Sequence, residues 1–154
     1  KHLGEQGGGR SAWGGDEGMY VDRLGPARGP GLNPLASLVD AGVDLVLGSD
    51  APVTPLDPWG GVRAAVHHRT PGRGIPVAVA VAAHTRAAHR AVGDPLSGDL
   101  VPGAPATYAV WAPGPSDPDG WPDLSDPAVR PACLRTVSRG AILHDTGVLK
   151  EVAA

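Results

Sequence analysis

The sequence predicts an α/β fold with a small β part on its C-terminal side. Three patterns carry that expectation. A helix signature opens at Asn33-Pro34, closes at Gly42 and leads straight into the apolar, β-branched run 43–48 (VDLVLG). Helix, tight glycine turn and buried strand together make half of a βαβ unit. A second helix start, Asp57-Pro58, follows a few residues later. Beyond residue 94, helical periodicity gives way to short alternating runs between Gly and Pro, which read as strands.

Taken in order, residues 1–18 are polar and glycine-rich, with Trp13 as an anchor, and read as loop. Residues 19–25 (MYVDRLG) predict a short helical turn, and 28–31 a cluster of breakers. Asn33 suits an N-cap and Pro34 the first helical position. Leu35, Leu38 and Val39 share one helical face, and Gly42 takes the position just past the end. The run 43–48 predicts a buried parallel strand. Ser49-Asp50-Ala51-Pro52 then sits past its carboxyl end, where α/β sheets and barrels bind ligands. The helix begun at Asp57-Pro58 carries Trp59, Val62 and Val66 on one face, and 70–74 breaks it. Residues 76–93 alternate at first, but their alanine content and length favour helix, with Thr85 as a point of division and Gly93 as the stop. Residues 106–112 read as a strand and 113–131 as an exposed Pro/Asp/Gly-rich loop. Two short strands around Ser138-Arg139-Gly140 read as a hairpin, and 148–152 (VLKEV) as a candidate further strand.

A chain of 154 residues and 15.6 kDa is one domain or part of one. Its 23 Gly and 17 Pro make up roughly a quarter of it, close to low-complexity composition. A net charge of −3 is too small for the disordered class, so apolar islands between loops are expected instead. No run of ~18 apolar residues could span a membrane. No apolar signal core follows Lys1. The single cysteine, Cys133, cannot pair within the chain and fits a reducing cytoplasm, the expected location. A pI near 6.0 with scattered Lys and Arg argues against a nucleic-acid footprint. Neither nucleic acid nor membrane is an expected partner.

Most catalytic patterns are missing. The sequence holds no GxGxxG after a strand, no GxxxxGK[ST] and no HExxH, and Ser49 in LGSDA is not a GxSxG elbow. His67 and His68 are adjacent, so on a helix they point ~100° apart. His84 and His89 miss the i, i+4 metal spacing, and His2 and His144 fall in terminal or strand-edge settings. Cys133 has no neighbouring His and reads as an inert thiol. The informative motif is LGSDAPV, residues 47–53. A carboxylate at the mouth of a parallel strand can hold a metal or take a proton from metal-bound water. An Asp before Ala-Pro is equally an ordinary turn former, and local chemistry leaves both readings open.

The run AGVDLVLGSDAPVTPLDPWGGVRAAVHHRTPGRG, followed by AHTRAAHRAVG, resembles the end of the catalytic barrel in the amidohydrolase superfamily. More narrowly it resembles the amidohydrolase-3 branch, which has N-substituted formamide deformylase-like members. SGDLVPGAPATYAVW resembles that superfamily's return to its small β domain, of the form GxLxxGxxADxxV. Trp13-Gly14-Gly15 and Gly18-Met19-Tyr20 resemble the branch's loop before the last barrel strand. The resemblance implies the C-terminal portion of a (β/α)8 (TIM) barrel over residues 1–93, with 43–48 as the last strand. Residues 94–154 would then supply strands of a small composite β domain. It implies that Asp50 binds the catalytic divalent metal (zinc, one or two ions) and handles the proton of the attacking water. Such a metal lowers the pKa of bound water from ~15.7 to about 7. Ser49, Pro52 and Val53 match the same motif, as loop-shaping and pocket-lining residues.

The departures from the family pattern are equally specific. The first-strand HxH pair, the mid-barrel Lys or Glu and the two later His ligands are absent, and Thr107 stands where the family has Asp. A complete barrel takes ~250 residues. The expectation is therefore a C-terminal third that is inactive by itself. The implied function is metal-dependent hydrolysis of carbon–nitrogen bonds other than peptide bonds, in small amide-type molecules, with a homo-oligomer as an option for the full-length protein. The alternative is a non-catalytic α/β fragment or docking piece.

Overall fold

The computed structural model describes residues 14–149. They form two compact units, divided between Ala87 and Ala88. In chain order the elements are α1 (Met19–Leu24), a single 3-10 turn (Gly29–Gly31), α2 (Leu35–Asp40), α3 (Pro58–Val66), α4 (Val77–His84), α5 (Arg86–Ala91), β1 (Tyr108–Ala112), β2 (Ala132–Ser138) and β3 (Ala141–Asp145).

The first unit is built on α3 and α4. Asp57 caps α3 as its side chain accepts from the Gly60 N–H at 2.8 Å, and Pro58 fills the first turn. Ala65 and Ala80 are fully buried and Val62, Ile75 and Ala83 nearly so. Small side chains let α3 and α4 approach closely. Gly61 leaves room for the His84 ring, since a Cβ there would lie 2.9 Å from His84 Nε2 and the ring would have to shift. The Ile75 N–H donates to the Ala65 carbonyl at 3.0 Å, which ties the lead-in of α4 to the end of α3.

Helix α2 ends as predicted. Gly42 has φ +74°, its N–H donates to Val39 O at 2.9 Å, and the Val43 N–H donates to Leu38 O at 2.9 Å. This pair of bonds is a Schellman motif. Its start differs from the expectation. Asn33 is left-handed (φ +52°), not in the extended conformation an N-cap needs, and its Nδ2 donates to the Tyr20 hydroxyl at 3.4 Å. The side chain is thus spent on a tertiary contact, and α2 begins at Leu35 with no side-chain cap.

The predicted parallel strand at 43–48 is a correction. The segment joins no β-ladder. Its Val43 N–H bonds back to α2 and its Leu47 N–H donates to Ala83 O of α4 at 3.1 Å. Leu47 is buried, whereas Val43 and Val46 stay 47% and 46% exposed. An apolar run patterned for burial on both faces has a helix on one side, and no described strand lies alongside it.

Thr85 does divide the long helical run: its backbone leaves the helical region (φ −118°, ψ −102°) between α4 and α5. Gly93 (φ +81°) and Asp94 close α5 by donating to Arg90 O and His89 O, each at 3.0 Å. In the second unit β1, β2 and β3 form one antiparallel sheet in that order. Arg139 (φ +49°) and Gly140 (φ +82°) form the expected hairpin turn, both left-handed as a type I′ turn demands. The Arg139 N–H donates to Thr107 Oγ1 and the Gly140 N–H to Ala106 O, both at 2.9 Å. Arg135 pairs with Asp145 across β2 and β3 at 2.7 Å. Loop 113–131 is largely exposed, as expected, yet pinned. Asp117 Oδ1 accepts from Asp119 N–H at 3.0 Å and Trp121 N–H at 2.8 Å, and Leu124 is 3% exposed. Val148 and Leu149 form no strand, and residues 150–152 of that expectation lie outside the described residues. Strand 106–112 is shorter than predicted, starting at Tyr108.

Removing the α3 cap with Asp57→Ala is expected to cost about 1 kcal/mol in urea unfolding, with Asp57→Asn close to wild type. Gly61→Ala must displace the His84 ring and is expected to cost about 1–3 kcal/mol in the same measurement.

Candidate functional site

The candidate site is the loop that leaves the extended segment and enters α3. Leu47 anchors its near end through Ala83, and the Asp57 cap anchors its far end. Between them, the Val53 N–H donates to Asp50 O at 3.0 Å and closes a four-residue turn across the cis Ala51–Pro52 peptide. The Ala51 N–H donates to Ser49 Oγ at 3.2 Å. The Thr54 hydroxyl donates to the Ser49 carbonyl. Asp50 sits at the turn's first corner in the left-handed region (φ +56°), exposed to solvent. Asp tolerates that conformation better than most residues because its side chain can satisfy nearby backbone groups.

This turn brings Ser49, Asp50, Pro52 and Val53 together, as adjacency in sequence requires. Ser49 is half-buried; Asp50, Pro52 and Val53 are exposed. The turn-former reading of Asp50 is visible in the Val53–Asp50 bond, and it does not compete with a chemical role: the backbone carbonyl makes the turn while the carboxylate is a separate group.

The histidines lie in settings of their own. His67 caps the end of α3 and is exposed. His68 Nδ1 accepts from the Thr70 N–H at 3.0 Å. His89 lies 3.6 Å from Asp94 in the second unit. Cys133 is half-buried in β2, its Sγ 3.3 Å from Thr136 Oγ1. His2 lies outside the described residues. Among the described residues no group of three or more His, Cys, Asp or Glu is placed to hold a metal. Catalytic zinc takes three protein ligands. The described donors therefore do not fit a catalytic metal by themselves, and Asp50 stands as a single candidate ligand.

Two residues matter more than the sequence indicated. Thr54 is 6% exposed, while its neighbours Val53 and Leu56 are 55% and 83% exposed. The pattern of a polar residue inside and apolar residues outside was not readable from a single sequence. His84 is the other. Its ring lies against Gly61, and its buried Nε2 finds no hydrogen-bond partner among the described residues. Burial pushes its pKa below the ordinary 6.5. Burial also lowers His68.

The unfolded chain therefore takes up protons on these rings more readily than the folded one. The stability that depends on a neutral His84 is complete above pH 6.5 and is lost as the pH falls from there toward the lowered folded value. The urea midpoint should fall over that window, and His84→Gln should flatten the fall. An unchanged slope in that variant would assign the effect elsewhere.

Comparison with known proteins yields one family. Neither the curated proteins nor the solved structures give a match. No helix among the described residues is long and apolar enough to cross a membrane. The family model of the amidohydrolase family matches residues 9–144, a stretch that holds the whole loop 49–54, α3, α4, β1, β2 and all of β3 but its last residue. A match over that much of the sequence carries the assignment: the chain belongs to the amidohydrolase family.

Proposed function

We propose that this chain serves a hydrolase that cleaves carbon–nitrogen bonds other than peptide bonds in small amide-type molecules, with Asp50 as its proton-handling carboxylate. The observation that carries this reading is the placement of Asp50. Within a family-matched segment, its carboxylate stands exposed on a turn pinned at both ends, beyond an apolar segment. A carboxylate so placed can accept a proton from a water as that water's oxygen bonds to the amide carbon. It can return the same proton to the amine nitrogen as the C–N bond breaks. Atoms and charge balance: water and amide become acid and amine, and the carboxylate ends as it began.

Ser49, Pro52 and Val53 line the approach to Asp50 in this reading. Val53 and Leu56 would face the apolar part of the substrate, since both side chains are exposed beside the turn. A divalent ion, zinc in the expectation drawn from the sequence, would supply Lewis-acid polarisation of the amide carbonyl. It would need ligands beyond the described residues.

The test is amine release from N-formyl and N-acetyl amines, with and without added zinc, for the full-length protein, in which turnover is measurable, and for its Asp50→Asn variant. General base catalysis is worth roughly 10²–10⁴-fold, and the variant is expected to lose that much. Turnover equal in both proteins would overturn the role of Asp50. For this chain by itself, zinc content after dialysis should fall well below one ion per chain. One tightly held ion per chain would overturn the expectation that this chain lacks a complete set of metal ligands.

A further inference from the structure

We infer that Thr54 is a positioning residue: its hydroxyl, bonded to the Ser49 carbonyl, sets the direction of the Asp50 carboxylate. This rests on the reading of Asp50 given above. Three observations support it. Thr54 is the buried side chain of loop 51–56, at 6% exposed, while the apolar Val53 and Leu56 on either side of it face solvent. Burial driven by apolar surface would have turned Val53 or Leu56 inward. A polar group is buried stably when its hydrogen bond is made, and the Thr54 hydroxyl makes one, to Ser49 O.

The acceptor is the second observation. The Ser49 carbonyl and the Asp50 N–H belong to one rigid peptide plane. Fixing that carbonyl fixes the plane from which the Asp50 Cα departs. With the plane held, φ at Asp50 decides the direction of the Cα–Cβ bond from which the carboxylate extends, and φ is +56°.

The third is the set of bonds around the turn. Ser49 Oγ accepts from the Ala51 N–H at 3.2 Å, and Asp50 O accepts from the Val53 N–H at 3.0 Å. The first spans Asp50 from side chain to backbone, and the second ties the Asp50 carbonyl to a later residue. The Thr54 bond reaches the peptide on the near side of Asp50. Without that bond the 49–50 plane could rotate, and Asp50 could relax toward the common right-handed or extended regions.

The experiment is backbone NMR of the full chain and of Thr54→Val and Thr54→Ser. Valine keeps the shape and the methyl but has a second methyl in place of the hydroxyl; serine keeps the hydroxyl and drops the methyl. Two readouts are taken: the Asp50 Cα and Cβ shifts, which report the left-handed conformation, and hydrogen exchange of the Val53 N–H. In Thr54→Val the Asp50 shifts should leave the left-handed range and Val53 exchange should quicken at least about 10-fold. Thr54→Ser should keep both. Wild-type behaviour in Thr54→Val would overturn the proposal. So would a serine variant as disturbed as the valine one, since that pattern marks the methyl and not the hydroxyl. Should Thr54→Val fail to fold, Thr54→Ala is read the same way. Failure of the Asp50 reading is seen separately, as amine release that Asp50→Asn leaves intact while the NMR result stands.

Discussion

One backbone hydrogen bond ties the candidate site to its scaffold. The Leu47 N–H donates to the Ala83 carbonyl near the end of α4. It is the point at which the extended segment after Gly42 stops being a tail of α2 and becomes a part of the α3–α4 layer. Leu47 is buried there, three residues ahead of Asp50. With Leu47 held at one end and the Asp57 cap at the other, the intervening loop has little freedom in where it emerges. The α3–α4 layer makes this possible through small residues. Ala65 and Ala80 are fully buried, and Gly61 gives the His84 ring room. A buried ring nitrogen without a partner is the electrostatic consequence of that close approach.

The apolar side chains are distributed unusually for the composition. None of the large ones among the described residues is completely buried, and many stand open: Val43, Val46 and Leu56 in the first unit, Val92, Leu100 and Leu143 in the second. The high Gly and Pro content is not what leaves them exposed. Those residues sit at working positions: Gly42 and Gly93 in helix stops, Pro58 in a helix start, Gly140 in a hairpin turn. The polar members of the loops do comparable work. Asp117 organises the long loop by accepting two backbone N–H groups, and Thr107 receives the N–H of Arg139, where the family pattern has an aspartate. A hydroxyl oxygen can accept that bond as a carboxylate would, without carrying a charge.

The family assignment and the geometry inform each other at the loop 49–54. The family match spans nearly all of the chain and includes Asp50, while the structure gives that residue a conformation and a set of supporting bonds around it. The proposed role needs both. An exposed aspartate in a turn is common, and so is a turn in a family-matched segment. A left-handed aspartate whose preceding carbonyl is held by a buried threonine is less so.

Local signals were legible in the sequence because they are set by one or two residues. Asp57-Pro58 had to cap a helix, Gly42 and Gly93 had to stop one, and Arg139-Gly140 had to turn a hairpin. Each follows from backbone sterics and unpaired N–H or C=O groups within a single turn. Ser49, Asp50, Pro52 and Val53 share one turn for a similar reason: they lie within five consecutive residues. Tertiary structure decided what depends on distant groups. It gave Asn33 to Tyr20 instead of to the start of α2, left 43–48 without a neighbouring strand, and turned Thr54 inward past Val53 and Leu56. It also laid His84 on Gly61. A hydrophobic pattern says that a segment seeks burial, but the partner that covers it, and the polar atom that is trapped as a result, come from residues far along the chain.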